Sequence, residues 1–74
     1  MAANGERMIC VTVNGSREQL DDGATVAQLI AKYKLAPPRV AVEVNQELVS
    51  RRDYEATRLK DGDRVEIVTF VGGG

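Results

Sequence analysis

The chain has 74 residues, 43% of them hydrophobic and 28% charged, with ten basic residues against eleven acidic ones. That length supports one domain with a thin core, and it argues against a catalytic pocket backed by its own supporting shell. The charge is near neutral with no basic stripe, which excludes phosphate-driven nucleic-acid binding, and the absence of histidine removes the commonest general base and metal ligand.

Met1 to Arg7 is polar and aperiodic and is expected to be a loose arm. It has no apolar stretch of the signal-peptide kind, and no apolar run anywhere is long enough to span a bilayer, so a soluble cytoplasmic chain without a membrane partner is expected. From Met8 to Asn14, Ile9, Val11 and Val13 alternate with Cys10 and Thr12, which predicts a half-buried strand. Asn14-Gly15 is a hairpin signal, because both residues tolerate positive φ, and Arg17 to Leu20 returns as a second strand. Asp22-Gly23 breaks it. Thr25 and Gln28 have capping-box spacing, and Val26, Leu29, Ile30 and Tyr33 then fall on one helical face. Pro37-Pro38 is expected to end that helix.

Arg39 to Asn45 alternates again, with Val40, Val42 and Val44 on one face. Leu48-Val49 is a short apolar step, and Asp53 to Thr57 reads as one helical turn with Tyr54 packed inward. Asp61-Gly62-Asp63 is a tight turn; a cation loop would need more oxygen donors. Arg64 to Phe70 is the last strand, with Val65 and Ile67 inward and Glu66 and Val68 outward by parity. The chain then reads Val71-Gly72-Gly73-Gly74. The crossover from the hairpin through the helix to the next strand is expected to be right-handed and parallel. The result is an α+β fold, a mixed sheet of four to five strands packed on one main helix, which is the β-grasp arrangement of ubiquitin. It divides into an arm over residues 1–7, a β-grasp domain over 8–71 and a flexible glycine tail over 72–74.

The remaining chemistry-bearing residues have plain readings. Cys10 has no partner for a disulfide, which fits a reducing compartment, and it reads as a small packing residue. Arg51-Arg52-Asp53 reads as a solvated surface run, and Tyr33 and Tyr54 as core residues with their hydroxyls at the edge. No nucleophile stands with a base, so no catalytic residue is assigned and no metal site is expected.

The ordered set Val40–Asn45, Leu48-Val49, Leu59–Asp63, Val65–Val68 and Val71–Gly74, after a hairpin and the Thr25-Val26 helix start, resembles the sulfur carrier of thiamine biosynthesis, the ThiS family. The resemblance covers Met8 to Gly74. It departs in the arm before Met8 and in a third glycine where two are the family minimum. The sulfur carrier of molybdopterin synthase (MoaD) is a close relative that often has a Pro-Pro-Val step before its diglycine; Thr69-Phe70-Val71 stands here instead, which favours the thiamine branch.

The resemblance implies a carrier with no catalysis of its own. An ATP-dependent adenylating enzyme (ThiF-like) would turn the Gly74 carboxylate into an acyl-adenylate. Sulfur would displace AMP, and the resulting thiocarboxylate would serve thiazole synthase (ThiG-like). No cofactor is bound in this picture; the thiocarboxylate or the AMP adduct sits on Gly74 itself, behind Gly73 and Gly72. The free chain is expected to be a monomer. The alternatives are a molybdopterin-type carrier, a modifier conjugated to lysines, and a β-grasp interaction module whose tail is only a frayed terminus.

Glycine suits the working end. Without a Cβ it passes a narrow channel and takes dihedrals closed to other residues. Ordering such a tail costs entropy, so affinity must come from the folded body. Val68 and Phe70, outward by parity, and the adjoining Val71 are the candidates for a docking patch. A one-residue slip at a bulge would bury Val68 and Phe70 instead.

Overall fold

In the computed structural model, which describes residues 7–70, β1 (Met8–Val13) and β2 (Ser16–Asp21) pair antiparallel from Met8 opposite Asp21 to Val13 opposite Ser16. Asn14 and Gly15 close this hairpin at φ 51° and 87°, the paired positive values a two-residue turn requires. Ile9, Val11, Val13 and Leu20 face the core as their alternation predicts. Of the arm expected over Met1 to Arg7, only Arg7 lies within the described residues; its carbonyl accepts from the Asp22 N–H at 3.1 Å.

The helix α1 (Val26–Lys32) begins as expected. The Gln28 N–H donates to Thr25 Oγ1 at 3.2 Å, and the Thr25 N–H donates to Gln28 Oε1 at 2.9 Å. Two more first-turn donors reach across the fold: Val26 N–H to the Thr57 carbonyl and Ala27 N–H to the Tyr54 carbonyl, both at 2.9 Å. The orphan donors of the helix start are thereby satisfied, two by the capping box and two by the Tyr54 and Thr57 carbonyls.

The end of α1 differs from the expectation. It stops at Lys32, short of Pro37-Pro38. Lys34 turns to φ 61°, its N–H donates to the Ala31 carbonyl at 2.9 Å, and the Leu35 N–H reaches the Ile30 carbonyl at 3.1 Å. This is a Schellman closure with lysine where glycine is usual. The prolines instead form a 3-10 turn, Pro37–Arg39, that leads into the next strand.

β3 (Val40–Val44) and β4 (Glu47–Val49) form a second hairpin, and β5 (Arg64–Thr69) completes a sheet in the order β2-β1-β5-β3-β4. The parallel pairing is therefore not between the first hairpin and the strand after the helix. It joins β1 to β5, with Thr12 opposite Arg64 and Val13 opposite Val65, and β3 pairs antiparallel with β5. The last strand takes the centre because its inward residues, Val65 and Ile67, are buried between those of β1 and β3. The turn expected over Asp53–Thr57 is present as a Thr57 N–H to Asp53 carbonyl bond at 2.9 Å, preceded by a 3-10 turn at Arg51–Asp53.

Val11, Val26, Leu29, Ile30, Val42 and Val65 form the centre of the core, with Tyr54 and Leu59 closing one end. The five-stranded mixed sheet laid over one helix is the expected β-grasp fold. No helix among the described residues is long and apolar enough to cross a membrane.

Candidate functional site

The glycines expected to do the work, Gly72, Gly73 and Gly74, lie outside the described residues, as does Val71. The structure does describe the strand that leads to them. β5 is paired with β1 at Arg64 and Val65 and with β3 from Val65 to Thr69, and the contact on the β3 side persists one residue past its end, where the Phe70 N–H donates to the Arg39 carbonyl at 2.8 Å. The backbone is thus fixed up to the threshold of the tail.

Both ends of β5 are fastened by asparagine side chains from the two hairpin turns. At its start, the Arg64 N–H donates to Asn45 Oδ1 and Asn45 Nδ2 donates to Asp63 Oδ1, each at 2.9 Å. Near its end, the Ile67 N–H donates to Asn14 Oδ1 at 2.8 Å and Asn14 Nδ2 donates to the Ile67 carbonyl at 3.0 Å. Asp61 adds a third tie, accepting the Cys10 N–H at 2.7 Å, and Asp63 Oδ2 accepts the Lys60 N–H at 2.8 Å. Asp61-Gly62-Asp63 is accordingly a turn whose carboxylates are engaged with N–H donors. No cluster suited to a metal occurs among the described residues.

Val68 and Phe70 are on the solvent face of the sheet, 59% and 53% exposed. The parity argument placed them correctly, and no bulge intervenes between Arg64 and Thr69. Val68 stands opposite Ala41 on β3. Leu48, read from the sequence only as part of an apolar step, belongs to the same face and is 72% exposed. Its partner across the β3–β4 pair is Glu43, and Glu43 in turn stands opposite Glu66 on β5. Strand register was the signal that reveals this: once β3 and β5 are aligned, Leu48, Glu43 and Glu66 form one row beside the Val68–Ala41 row.

This face has two chemical characters. Leu48, Val68 and Phe70 supply apolar surface that a folded monomer gains nothing by exposing. Glu43 and Glu66 supply two opposed carboxylates with no cation partner among the described residues. Beyond them, Pro37, Pro38, Arg51 and Phe70 line an open groove of about 320 Å³ at the end where the tail leaves. Arg51, Arg52 and Asp53 are exposed and form no ion pair among the described residues, as a solvated run should.

The other expected residues lie away from this face or carry no chemistry. Cys10 is half-buried on β1 with a free thiol. Tyr54 is buried, and its hydroxyl donates to the Val40 carbonyl at 3.4 Å. Tyr33, half-buried at the end of α1, donates to Glu18 Oε2.

Known proteins share this arrangement. The chain matches the ThiS family over residues 4–74. It is 43% identical over 53 residues to the sulfur carrier protein ThiS of Bacillus subtilis, an alignment that covers 72% of this chain and 80% of that protein. It is 39% identical over 64 residues to a thiazole synthase of Magnetococcus marinus, covering 86% of this chain but only 20% of that protein, so the chain spans about a fifth of that relative's length. Among solved structures, the crystal structure of the thiamine biosynthesis protein ThiS from Geobacter metallireducens superposes with a TM-score of 0.74 at 39% identity, covering 89% of this chain and all of that one.

Proposed function

The chain belongs to the ThiS family, and we propose that it carries sulfur for thiamine biosynthesis on the carboxylate of Gly74. A carboxylate resists nucleophiles because it is negatively charged and lacks a leaving group. Its oxygen attacks the α-phosphorus of ATP, pyrophosphate departs, and an acyl-adenylate forms. Hydrosulfide then adds to the acyl carbon, AMP leaves with the C–O electron pair, and loss of the S–H proton to solvent leaves a thiocarboxylate at the chain end. The protein supplies no catalytic side chain for these steps. It supplies a tail that fits a narrow site and a body that docks.

The observation that carries this reading is the exposed Val68–Phe70 surface at the end of a strand paired with β3 as far as Thr69 and clamped by Asn14 at Ile67, with Val71 alone between it and Gly72, Gly73 and Gly74. A fixed strand end gives the carrier a defined body next to its working residues, and the apolar face there gives an adenylating enzyme something to grip. The relative named as a thiazole synthase contains a stretch similar to this domain, which supports thiazole synthase as the acceptor of the sulfur.

The test is the intact mass of the chain after incubation with an adenylating enzyme from the same cell, ATP and a sulfur donor. A gain equal to exchanging one oxygen for one sulfur, abolished when the Gly74 carboxylate is capped as an amide, is the expected result. An unchanged mass, with the enzyme active on another carrier, overturns the proposal in favour of a β-grasp interaction module.

A further inference from the structure

We propose that Asn14-Gly15 is a modification site, a deamidation centre that the fold holds shut by clamping the Asn14 carboxamide to the backbone of Ile67. The reaction needs no enzyme. The Gly15 amide nitrogen attacks Asn14 Cγ, and an N–C bond forms as that nitrogen gives up its proton to solvent. The carboxamide nitrogen takes a proton and leaves as ammonia, closing a five-membered imide. Water, the only co-reactant, then opens the imide at either carbonyl. One opening leaves aspartate at position 14, and the other leaves an isoaspartyl link with the backbone routed through the side chain. Nothing is oxidised or reduced.

Burial does not protect this site. Asn14 and Gly15 are both exposed, and apart from Gly15 and its two chain neighbours no heavy atom lies within 4 Å of where a Gly15 Cβ would stand. Glycine also leaves the attacking nitrogen uncrowded. What restrains the reaction is the pair of bonds to Ile67: its N–H donates to Asn14 Oδ1 at 2.8 Å, and its carbonyl accepts from Nδ2 at 3.0 Å. The fixed polarity of a backbone N–H and carbonyl decides which end of the carboxamide is nitrogen, so the group cannot flip within the clamp. The Asn14 N–H is held as well, by the Val65 carbonyl at 2.9 Å.

Ring closure requires Cγ to swing toward the Gly15 nitrogen, and it requires the departing nitrogen to lose its planar amide geometry. Neither can happen while the carboxamide acts as a rung between β1 and β5. Reaction therefore proceeds only from molecules in which this junction has opened, and its rate is the unrestrained rate multiplied by the open fraction. The product undermines the clamp that delayed it. Aspartate at position 14 sets an acceptor against the Ile67 carbonyl, and the isoaspartyl link adds a methylene to a two-residue turn. Either change loosens β5 shortly before Phe70.

The test compares the full chain at neutral pH in its native state with the same chain unfolded in urea. Peptide mapping counts deamidation at Asn14, and enzymatic carboxyl methylation counts isoaspartyl groups. Hydrogen exchange of the Ile67 amide is followed in the native sample, since that N–H is itself one half of the clamp. The expected result is native deamidation slower than the unfolded rate by at least about tenfold, and by the same factor that protects the Ile67 amide. Deamidation at the unfolded rate while the Ile67 amide stays protected would overturn the clamp. Deamidation that is equally slow in urea would overturn the site itself.

Discussion

The Tyr33 hydroxyl donates a 2.7 Å hydrogen bond to Glu18 Oε2, tying the end of α1 to the outer strand β2. Lys32 completes the tie, with Nζ 3.3 Å from Glu18 Oε1 and 3.4 Å from the Gln19 carbonyl. An outer strand exposes unpaired backbone groups to any passing chain, and a lysine placed on such a carbonyl blunts that edge. Burial, followed by the hydrogen bond and negative charge of Glu18, pushes the Tyr33 phenol up to about 12. The Tyr33 hydrogen bond, followed by Lys32, holds the Glu18 carboxyl below its ordinary value.

These shifts predict a pH dependence on both sides. The Tyr33 phenol is harder to ionise folded than unfolded, so its contribution is complete below its ordinary value of 10.0 and is lost as pH rises toward about 12. The Glu18 carboxylate is easier to ionise folded, so its contribution is present above 4.5 and is lost as pH falls through its lowered native value. Urea unfolding across pH should show the stability gap between the native chain and Tyr33→Phe narrowing across the alkaline window. A gap that stays constant there would mean that the Tyr33 phenol ionises alike in the folded and the unfolded chain.

Lys34 sits at φ 61° in the Schellman closure of α1. A side chain in that region is strained, and glycine is not. Lys34→Gly is therefore expected to stabilise the chain by about 0.5–1 kcal/mol, despite adding entropy to the unfolded state, because Lys34 is exposed and forms no ion pair among the described residues. Thermal unfolding checks it, and a lowered midpoint would place the strain elsewhere.

Much of this architecture is legible in the sequence because its signals are local. Ile9, Val11 and Val13 alternate cleanly, Asn14-Gly15 marks its own turn, and Thr25 with Gln28 announces the helix start. The misreadings have two sources: local closures made by residues that are poor turn formers, and strand pairings imposed by distant partners. Lys34 carries no mark of a helix end, since the closure is made by carbonyls of α1 itself, and the prolines further on are the louder signal. The Asn45-Gln46 turn between β3 and β4 passed unread because glutamine is a poor turn former; the two-residue gap between Val44 and Glu47 was the available clue. The position of β5 at the centre of the sheet depends on its pairing with both β1 and β3. No local pattern contains that information. The outward placement of Val68 and Phe70 was legible by parity, whereas the inclusion of Leu48 on that face required the register.

Asn45 has two separable roles. Its φ of 53° suits a turn, and its carboxamide bridges Asp63 and Arg64 at the start of β5. Asn45→Gly keeps the backbone conformation and removes the bridge; Asn45→Ala removes both. The expected costs are about 1 kcal/mol for glycine and about 2 kcal/mol for alanine. Equal costs in denaturant unfolding would mean that the positive φ of Asn45 contributes nothing and the bridge carries the whole effect.

The docking role proposed for the sheet face gives the most direct functional prediction. Val68 and Phe70 are more than half exposed, so Val68→Asp and Phe70→Ala should shift stability by no more than about 0.5 kcal/mol. Neither substitution touches the tail or the carboxylate, so the chemistry on a bound carrier is preserved. A side chain at the centre of a desolvated interface is worth considerably more than one in solvent, and each substitution should raise the KM of the adenylating enzyme for the carrier about tenfold with little change in kcat. Ser16→Ala, an exposed change on the edge strand β2 with β1 between it and β5, serves as the control and should leave both constants unaltered. If Val68→Asp and Phe70→Ala also leave KM unaltered while both variants remain folded, the enzyme grips the carrier elsewhere.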